Sequence, residues 1–66
     1  MQIERRTLTV EEVAQYIGVS KDLIYIMVRE KSIPFIRIGS RRILFKRESI
    51  DQWLSEQEVM AHEQNA

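Results

Sequence analysis

Apolar positions near the start of the chain recur with the period of an amphipathic helix. They fall at i, i+3, i+4 and i+7 and comprise Val10, Val13, Ala14 and Ile17. This spacing predicts a helix over residues 10–17. Thr9 directly precedes the segment and Glu12 follows three residues later, which is the pattern of a capping box. Gly18 stands where a helix commonly ends in a left-handed residue.

A second helix is predicted over residues 21–31, with Ser20 as its N-cap residue. Its apolar side comprises Leu23, Ile24, Met27 and Val28. Pro34 prevents the helix from continuing further. Only Gly18, Val19 and Ser20 separate the two predicted helices, and so short a connection containing a glycine predicts a helix-turn-helix.

From Phe35 onward, β-branched residues alternate with arginines, so the period changes from that of a helix to that of a strand. Gly39 can adopt the positive φ that a tight turn requires, and the segment therefore predicts a two-stranded β-hairpin, or wing. A two-residue loop would set Arg37 opposite Arg42, an unfavourable like-charge pair, whereas a three-residue loop would separate them. The sequence leaves both registers open.

A third helix is predicted near the end of the chain, because Ile50, Trp53 and Leu54 stand at i, i+3 and i+4. Its apolar face would cover the hairpin and the first helix. Phe45 and Trp53 are expected in the core and Tyr16 at its rim. The predicted fold is a small α+β winged helix-turn-helix with two N-terminal helices, a two-stranded β-hairpin wing and a C-terminal helix. It divides the chain into an N-terminal arm (1–8), the winged domain (9–55) and an acidic C-terminal tail (56–66).

Charge is unevenly distributed along a chain that is formally neutral. Ten Lys and Arg residues balance ten Asp and Glu residues, yet every Lys and Arg precedes residue 48. Between residues 21 and 47, eight basic side chains are accompanied only by Asp22 and Glu30. A basic module of this kind predicts a polyanionic partner.

Two surfaces are candidates for binding double-stranded DNA. The face of the second helix opposite its apolar side mixes acidic, aromatic, aliphatic and basic groups, as a surface that reads base edges does: arginine recognises guanine, and an apolar group contacts a thymine methyl. The arginines of the hairpin tip would straddle a minor groove, although such charges also protect an exposed hairpin from aggregation. The candidate DNA-binding residues are Ser20, Lys21, Asp22, Tyr25, Ile26, Arg29, Arg37, Ser40, Arg41 and Arg42.

The composition argues against most other chemistry. With 66 residues and no Cys, the chain is expected to form one small domain without disulfides or thiolate metal sites. His62 is the single histidine, and no nucleophile, base and orienting group stand together. We therefore expect no enzyme activity, cofactor, metal or small-molecule substrate. The chain also has no long apolar run and no secretion signal, so a cytoplasmic protein without membrane contact is expected.

Six short motifs occur together in this chain, and the combination identifies a protein family more specifically than any one motif does. Within residues 7–55 they are Leu8-Thr9-Val10-Glu11-Glu12-Val13-Ala14, Tyr16-Ile17-Gly18-Val19-Ser20, Ile33-Pro34, Arg37-Ile38-Gly39, Ile43-Leu44-Phe45 and Ile50-Asp51-Gln52-Trp53-Leu54. Together they resemble the excisionase-type helix-turn-helix family, small winged-helix domains akin to the DNA-binding part of MerR-type regulators. The resemblance implies a recognition helix in the major groove after Ser20 and a wing in the adjacent minor groove at residues 39–42. Family members often have a basic residue where this chain has Ile26, and Gly-Lys where it has Lys31-Ser32.

The resemblance implies one of two roles. An excisionase, or recombination directionality factor, binds and bends DNA near an attachment site and assists a tyrosine recombinase in excision. A small MerR-like transcription regulator uses the same domain. The sequence shows no effector-binding or coiled-coil segment, which favours the excisionase. Its acidic tail would then contact the recombinase or support cooperative self-association on DNA, through the candidate residues Glu56, Glu58 and Glu63.

A protein-interaction module that does not bind DNA is the remaining alternative. In that case the uneven charge would drive assembly between proteins. Carboxylates of the third helix or the tail would then neutralise the arginines at positions 29, 37, 41 and 42. Exposure of those arginines on one side of the molecule would favour DNA binding instead.

Overall fold

A computed structural model describes residues 4–59 of the chain. Within these residues the elements are β1 (Thr7–Leu8), α1 (Val10–Ile17), α2 (Lys21–Arg29), β2 (Ile36–Ile38), β3 (Arg42–Lys46) and α3 (Arg47–Gln57). The strands form one antiparallel sheet in the order β1-β3-β2. Two helices joined by a short turn, a hairpin wing and a C-terminal helix confirm the predicted winged helix-turn-helix.

The first helix has the predicted bounds because both of its ends are fixed locally. The Glu12 amide donates to the Thr9 hydroxyl at 3.1 Å, and the Thr9 amide donates to the Glu12 carboxylate at 2.9 Å, which completes the capping box. At the other end Gly18 adopts a left-handed conformation with φ of 93°. The amides of Gly18 and Val19 both donate to the Ala14 carbonyl, at 2.8 and 2.9 Å.

The second helix begins where predicted, since the Ser20 hydroxyl accepts a hydrogen bond from the Leu23 amide at 3.2 Å. Ile24 and Val28 are buried against the core. The predicted apolar side of α2 is not buried along its whole width, because Leu23 is 40% exposed. Leu23 lies at the edge of this side, and none of the described elements buries it.

The second helix ends at Arg29, two residues earlier than the sequence predicted. Lys31 takes a left-handed conformation with φ of 59°. Its amide donates to the Val28 carbonyl at 3.0 Å, and the Ser32 amide donates to the Met27 carbonyl at 2.9 Å. This pair of bonds is a Schellman motif, which turns the chain so that the next apolar residue can enter the core.

The wing has a three-residue loop, residues 39–41, which resolves the register that the sequence left open. Ile38 pairs with Arg42, and Arg37 pairs with Ile43. The two arginines at positions 37 and 42 are therefore not opposite each other. Gly39 has φ of 64°, as the turn requires.

A third strand was not predicted. β1 lies in the segment that the sequence analysis assigned to an N-terminal arm, and it pairs with β3 through Thr7 with Lys46 and Leu8 with Phe45. Two residues are too few to show the period of a strand, so only the pairing partner defines it.

One hydrophobic core joins the helices to the sheet. Its buried members are Val10, Val13, Ala14, Ile24, Val28, Ile33, Phe45 and Ile50. Phe45 is fully buried, as predicted, whereas Trp53 is only half-buried at the edge of the core. The Trp53 indole NH donates to the Ser32 carbonyl at 2.9 Å, and this bond joins α3 to the turn after α2. The Tyr16 hydroxyl donates to the Asp51 carboxylate, which joins α3 to α1.

Candidate nucleic-acid interface

An open groove of about 340 Å³ lies between the start of α1, the exposed side of α2 and the tip of the wing. Its lining comprises Thr9, Val10, Glu11, Tyr25, Arg41, Arg42 and Ile43. Tyr25 of α2 thus lines the same groove as Arg41 and Arg42 of the wing, although more than fifteen positions separate them in sequence. The tertiary fold makes one surface from the two candidate regions.

The outward face of α2 is formed by residues that make no contribution to the core. Asp22, Ile26 and Arg29 stand at i, i+4 and i+7, opposite the buried residues Ile24 and Val28. All three are exposed. The exposed side of α2 therefore carries one acidic, one aliphatic and one basic side chain in a single line along the helix. We call this line of Asp22, Ile26 and Arg29 the stripe.

The start of α2 holds two further candidates. The Ser20 hydroxyl accepts the bond that caps the helix, which leaves its own proton available to an external acceptor. The Lys21 ammonium lies 3.3 Å from the Glu11 carboxylate, and both side chains are largely exposed. A solvent-exposed pair of this kind contributes little to stability, so a phosphate can displace it at low cost.

The wing carries the remaining candidates, Arg37, Ser40, Arg41 and Arg42, all of them exposed. The Arg37 guanidinium lies over the Phe35 ring, 5.8 Å from its centroid. Of the ten predicted DNA-binding residues, only Tyr25, Arg41 and Arg42 line the groove. The other seven lie outside its lining: Ser20, Lys21, Asp22, Ile26, Arg29, Arg37 and Ser40.

The electrostatics of this surface depend on which cations are already paired. Within residues 4–59 the ion pairs are Arg5 with Glu12 and Lys21 with Glu11. The exposed arginines of α2 and the wing make no ion pair with any described carboxylate; they are Arg29, Arg37, Arg41 and Arg42. Among the described residues, no carboxylate competes with an external anion for these four guanidinium groups.

Residues 7–58 match a protein-family model described as a helix-turn-helix domain. The chain belongs to this helix-turn-helix domain family. The match begins at β1 and runs past the end of α3, so it includes every element that builds the groove. Comparisons with curated proteins and with solved structures found no match. Members of helix-turn-helix families are typically non-enzymatic DNA-binding proteins, which indicates sequence-specific DNA binding as the class of function.

Two titratable groups of this helix-turn-helix domain are perturbed. The pKa of Glu12 lies below its ordinary value, first because the Thr9 backbone amide donates to the carboxylate and then because the Arg5 guanidinium lies beside it. The pKa of Tyr16 is raised, chiefly because its hydroxyl donates to the Asp51 carboxylate. Both contacts link α1 to a neighbouring segment.

Two of the three acidic candidates lie at the C-terminal end of α3. Glu56 is exposed in the last turn of α3 and accepts a bond from the Gln52 amide at 3.4 Å. Glu58 is also exposed, just beyond the helix. The third predicted residue, Glu63, lies outside the described residues.

Sequence reasoning missed four residues that line the groove: Thr9, Val10, Glu11 and Ile43. Thr9 and Val10 were recognised only as the start of a helix. Glu11 carried no signal, because its pairing with Lys21 depends on how the turn folds the two helices together. Ile43 was read only as a strand residue.

A metal-ligand cluster and a membrane-spanning helix are both absent from the described part of the chain. Residues 4–59 contain no group of three or more His, Cys, Asp or Glu side chains that could hold a metal ion. In the same residues no helix combines the length and the apolar character that crossing a membrane requires.

Proposed function

We propose that this helix-turn-helix domain is an excisionase, or recombination directionality factor: it binds and bends double-stranded DNA near an attachment site and assists a tyrosine recombinase in excision. The observation that carries the DNA-binding part is the shared groove, which is lined by Tyr25 of α2 and by Arg41 and Arg42 of the wing. A helix and an adjacent basic hairpin on one side of a domain suit a major groove and its neighbouring minor groove.

The helix α2 and the wing have different roles in this DNA binding. The outward residues of α2 read base edges, while the wing arginines bind phosphates and the minor groove. Ser20 and Lys21, at the start of α2, add contacts to the DNA backbone. Base contacts give sequence preference, and phosphate contacts give affinity and orientation.

A protein-interaction module without DNA binding has less support. It would require carboxylates that neutralise the arginines of α2 and the wing. Within residues 4–59 neither of the two ion pairs involves those arginines. Their exposure favours a polyanion over an acidic surface of the same chain.

The motif resemblance fits both roles, and the acidic C-terminal end is the feature that favours the excisionase over a transcription regulator. After Arg47 the chain carries acidic side chains and no Lys or Arg. Phosphate repels such a segment, so it is suited to contact a protein. A neighbouring copy on tandem DNA sites or a basic surface of the recombinase fits this charge.

Binding to DNA is tested by a gel-shift titration at several salt concentrations. If about five to seven phosphates are contacted, the logarithm of the binding constant should fall with the logarithm of salt with a slope of about −4.5 to −6. A slope near zero would remove DNA as the partner.

The role on DNA is tested by an excision assay with a tyrosine recombinase encoded beside the gene. The full chain should stimulate excision of a substrate that carries its binding sites. If the protein binds those sites but leaves excision unchanged, while altering transcription from a nearby promoter, the second candidate function, a MerR-like transcription regulator, replaces the first.

A further inference from the structure

The outward face of α2 has one feature that neither folding nor phosphate binding explains. Ile26 is 38% exposed at the middle of the stripe, between Asp22 and Arg29. It is absent both from the buried core and from the partly buried residues packed against that core. An aliphatic side chain at this position contributes little to the fold and cannot bind a phosphate.

The two neighbours of Ile26 on the stripe have polar partners on base edges. An arginine is suited to guanine, and a carboxylate accepts a hydrogen bond from the amino group of cytosine. From Asp22 to Arg29 the helix rises about 10 Å, roughly the length of three base-pair steps. The stripe is therefore long enough for its three side chains to meet successive base pairs.

The chemistry of the major groove restricts what an aliphatic group can recognise there. Base edges present donors and acceptors, and the methyl group on C5 of thymine is their one apolar feature. The same methyl group occurs in 5-methylcytosine. An isoleucine held against a base edge gains from burying this methyl and gains nothing from an unmethylated pyrimidine.

We infer that Ile26 determines specificity by contacting the C5-methyl group of a pyrimidine in the major groove, an inference that rests on the proposed DNA binding. Asp22 and Arg29 contact the flanking base pairs. The binding site then contains a methylated pyrimidine, in ordinary DNA a thymine, at its centre. Removing that methyl weakens binding without changing any hydrogen bond or charge.

The test begins with selection of a binding site from random double-stranded DNA by the full chain. Each thymine of the selected duplex is then replaced singly by deoxyuridine, which lacks the methyl. At one position the wild-type protein should bind about fourfold more weakly, the factor expected for one methyl-sized group. Ile26→Ala should bind the thymine and deoxyuridine duplexes equally, and Ile26→Val should fall between.

Leu23→Ala is the matched control, because Leu23 is an exposed aliphatic residue of the same helix that lies off the stripe. It should keep the fourfold preference for thymine. Thermal unfolding verifies that each variant remains folded.

Duplexes with cytosine or 5-methylcytosine at the same position show whether Ile26 recognises the methyl group alone or the whole A·T pair. Equal binding of the 5-methylcytosine and thymine duplexes means that the methyl group alone is recognised. A preference for thymine over both means that the methyl group is recognised within an A·T pair.

The inference is overturned if wild type binds thymine and deoxyuridine duplexes equally at every position, or if Ile26→Ala keeps the preference. Either result leaves DNA binding intact. If selection enriches no sequence and no duplex is bound, the proposed function itself fails and the inference fails with it.

Discussion

At the scale of single residues, Lys31 is the clearest departure from ideal backbone geometry. It is the one residue other than glycine with positive φ in the described part of the chain, at 59°. The Schellman motif requires this conformation, and glycine adopts it without the strain that a Cβ atom causes.

Lys31→Gly should therefore raise the free energy of unfolding, by up to about 1.6 kcal/mol. Relief of left-handed strain contributes about 1–2 kcal/mol, and the greater freedom of glycine in the unfolded chain offsets about 0.4–1 kcal/mol of it. Urea unfolding measures the change. Lys31→Ala removes the same charge but keeps Cβ, so it should show no gain. Equal midpoints for the two variants would contradict the assignment of strain.

Glu12 gives the domain a pH dependence whose sign follows from its lowered pKa. The folded pKa lies below the ordinary value of 4.5, so the stabilisation is present above about pH 4.5 and is lost as the pH falls through the folded pKa. Glu12→Gln should be less stable than wild type at neutral pH, and the difference should shrink below about pH 4.5. Urea unfolding across this range measures it.

Thr9→Ala is the comparison for this prediction. It removes the capping bond of the Thr9 hydroxyl, which should cost about 1 kcal/mol at neutral pH. This hydroxyl makes the smallest contribution to the lowered pKa of Glu12, so the cost should vary less with pH than the effect of Glu12→Gln. A stability gap between wild type and Glu12→Gln that stays constant as the solution is acidified would show that the charge of Glu12 is not what stabilises α1.

At the scale of elements, substitutions in α2 and in the wing should have different effects on DNA binding. Arg29→Ala or Tyr25→Ala should reduce discrimination between the selected site and random DNA, because each base contact contributes on the order of 1–3 kcal/mol. Changing Arg41 and Arg42 together to Ala should weaken binding to both DNAs by a similar factor. Competition gel shifts measure both effects. Full specificity in the Arg29 and Tyr25 variants would show that α2 is not the reading element.

At the scale of the whole molecule, the charge is divided between a basic segment before residue 48 and an acidic segment after it. Acidic side chains in the last turn of a helix are unfavourable to its dipole, and α3 has no basic residue there to compensate. Residues that break a local stability rule are often retained for function. A protein contact made by this end would explain them.

Replacing Glu56 and Glu58 together by Gln should leave affinity for a single DNA site unchanged or slightly raised, since repulsion from phosphate is removed. Cooperative filling of adjacent sites, or recombinase-dependent excision, should weaken. Footprinting on a fragment with several sites and an excision assay measure the two effects. Gln57→Ala, a neutral change in the same turn, is the control. Normal cooperativity and normal excision in the double variant would exclude the acidic end as a protein contact.

The features that the sequence determined by itself are those fixed within a few residues. The bounds of α1 follow from a capping box and from Gly18, and the start of α2 from Ser20. Hydrogen bonds between near neighbours set these positions, so the pattern of residue types is enough. The helix-turn-helix and the order of its elements could be predicted for the same reason.

The tertiary structure alone decided the features that depend on distant partners. β1 exists because Phe45 and Lys46 pair with it, the register of the wing depends on the loop, and Leu23 is exposed because none of the described elements buries it. The groove lined by Tyr25 and the wing arginines also depends on residues that are distant in sequence. Period and capping describe one segment at a time, whereas pairing, burial and a shared surface depend on where two segments meet in space.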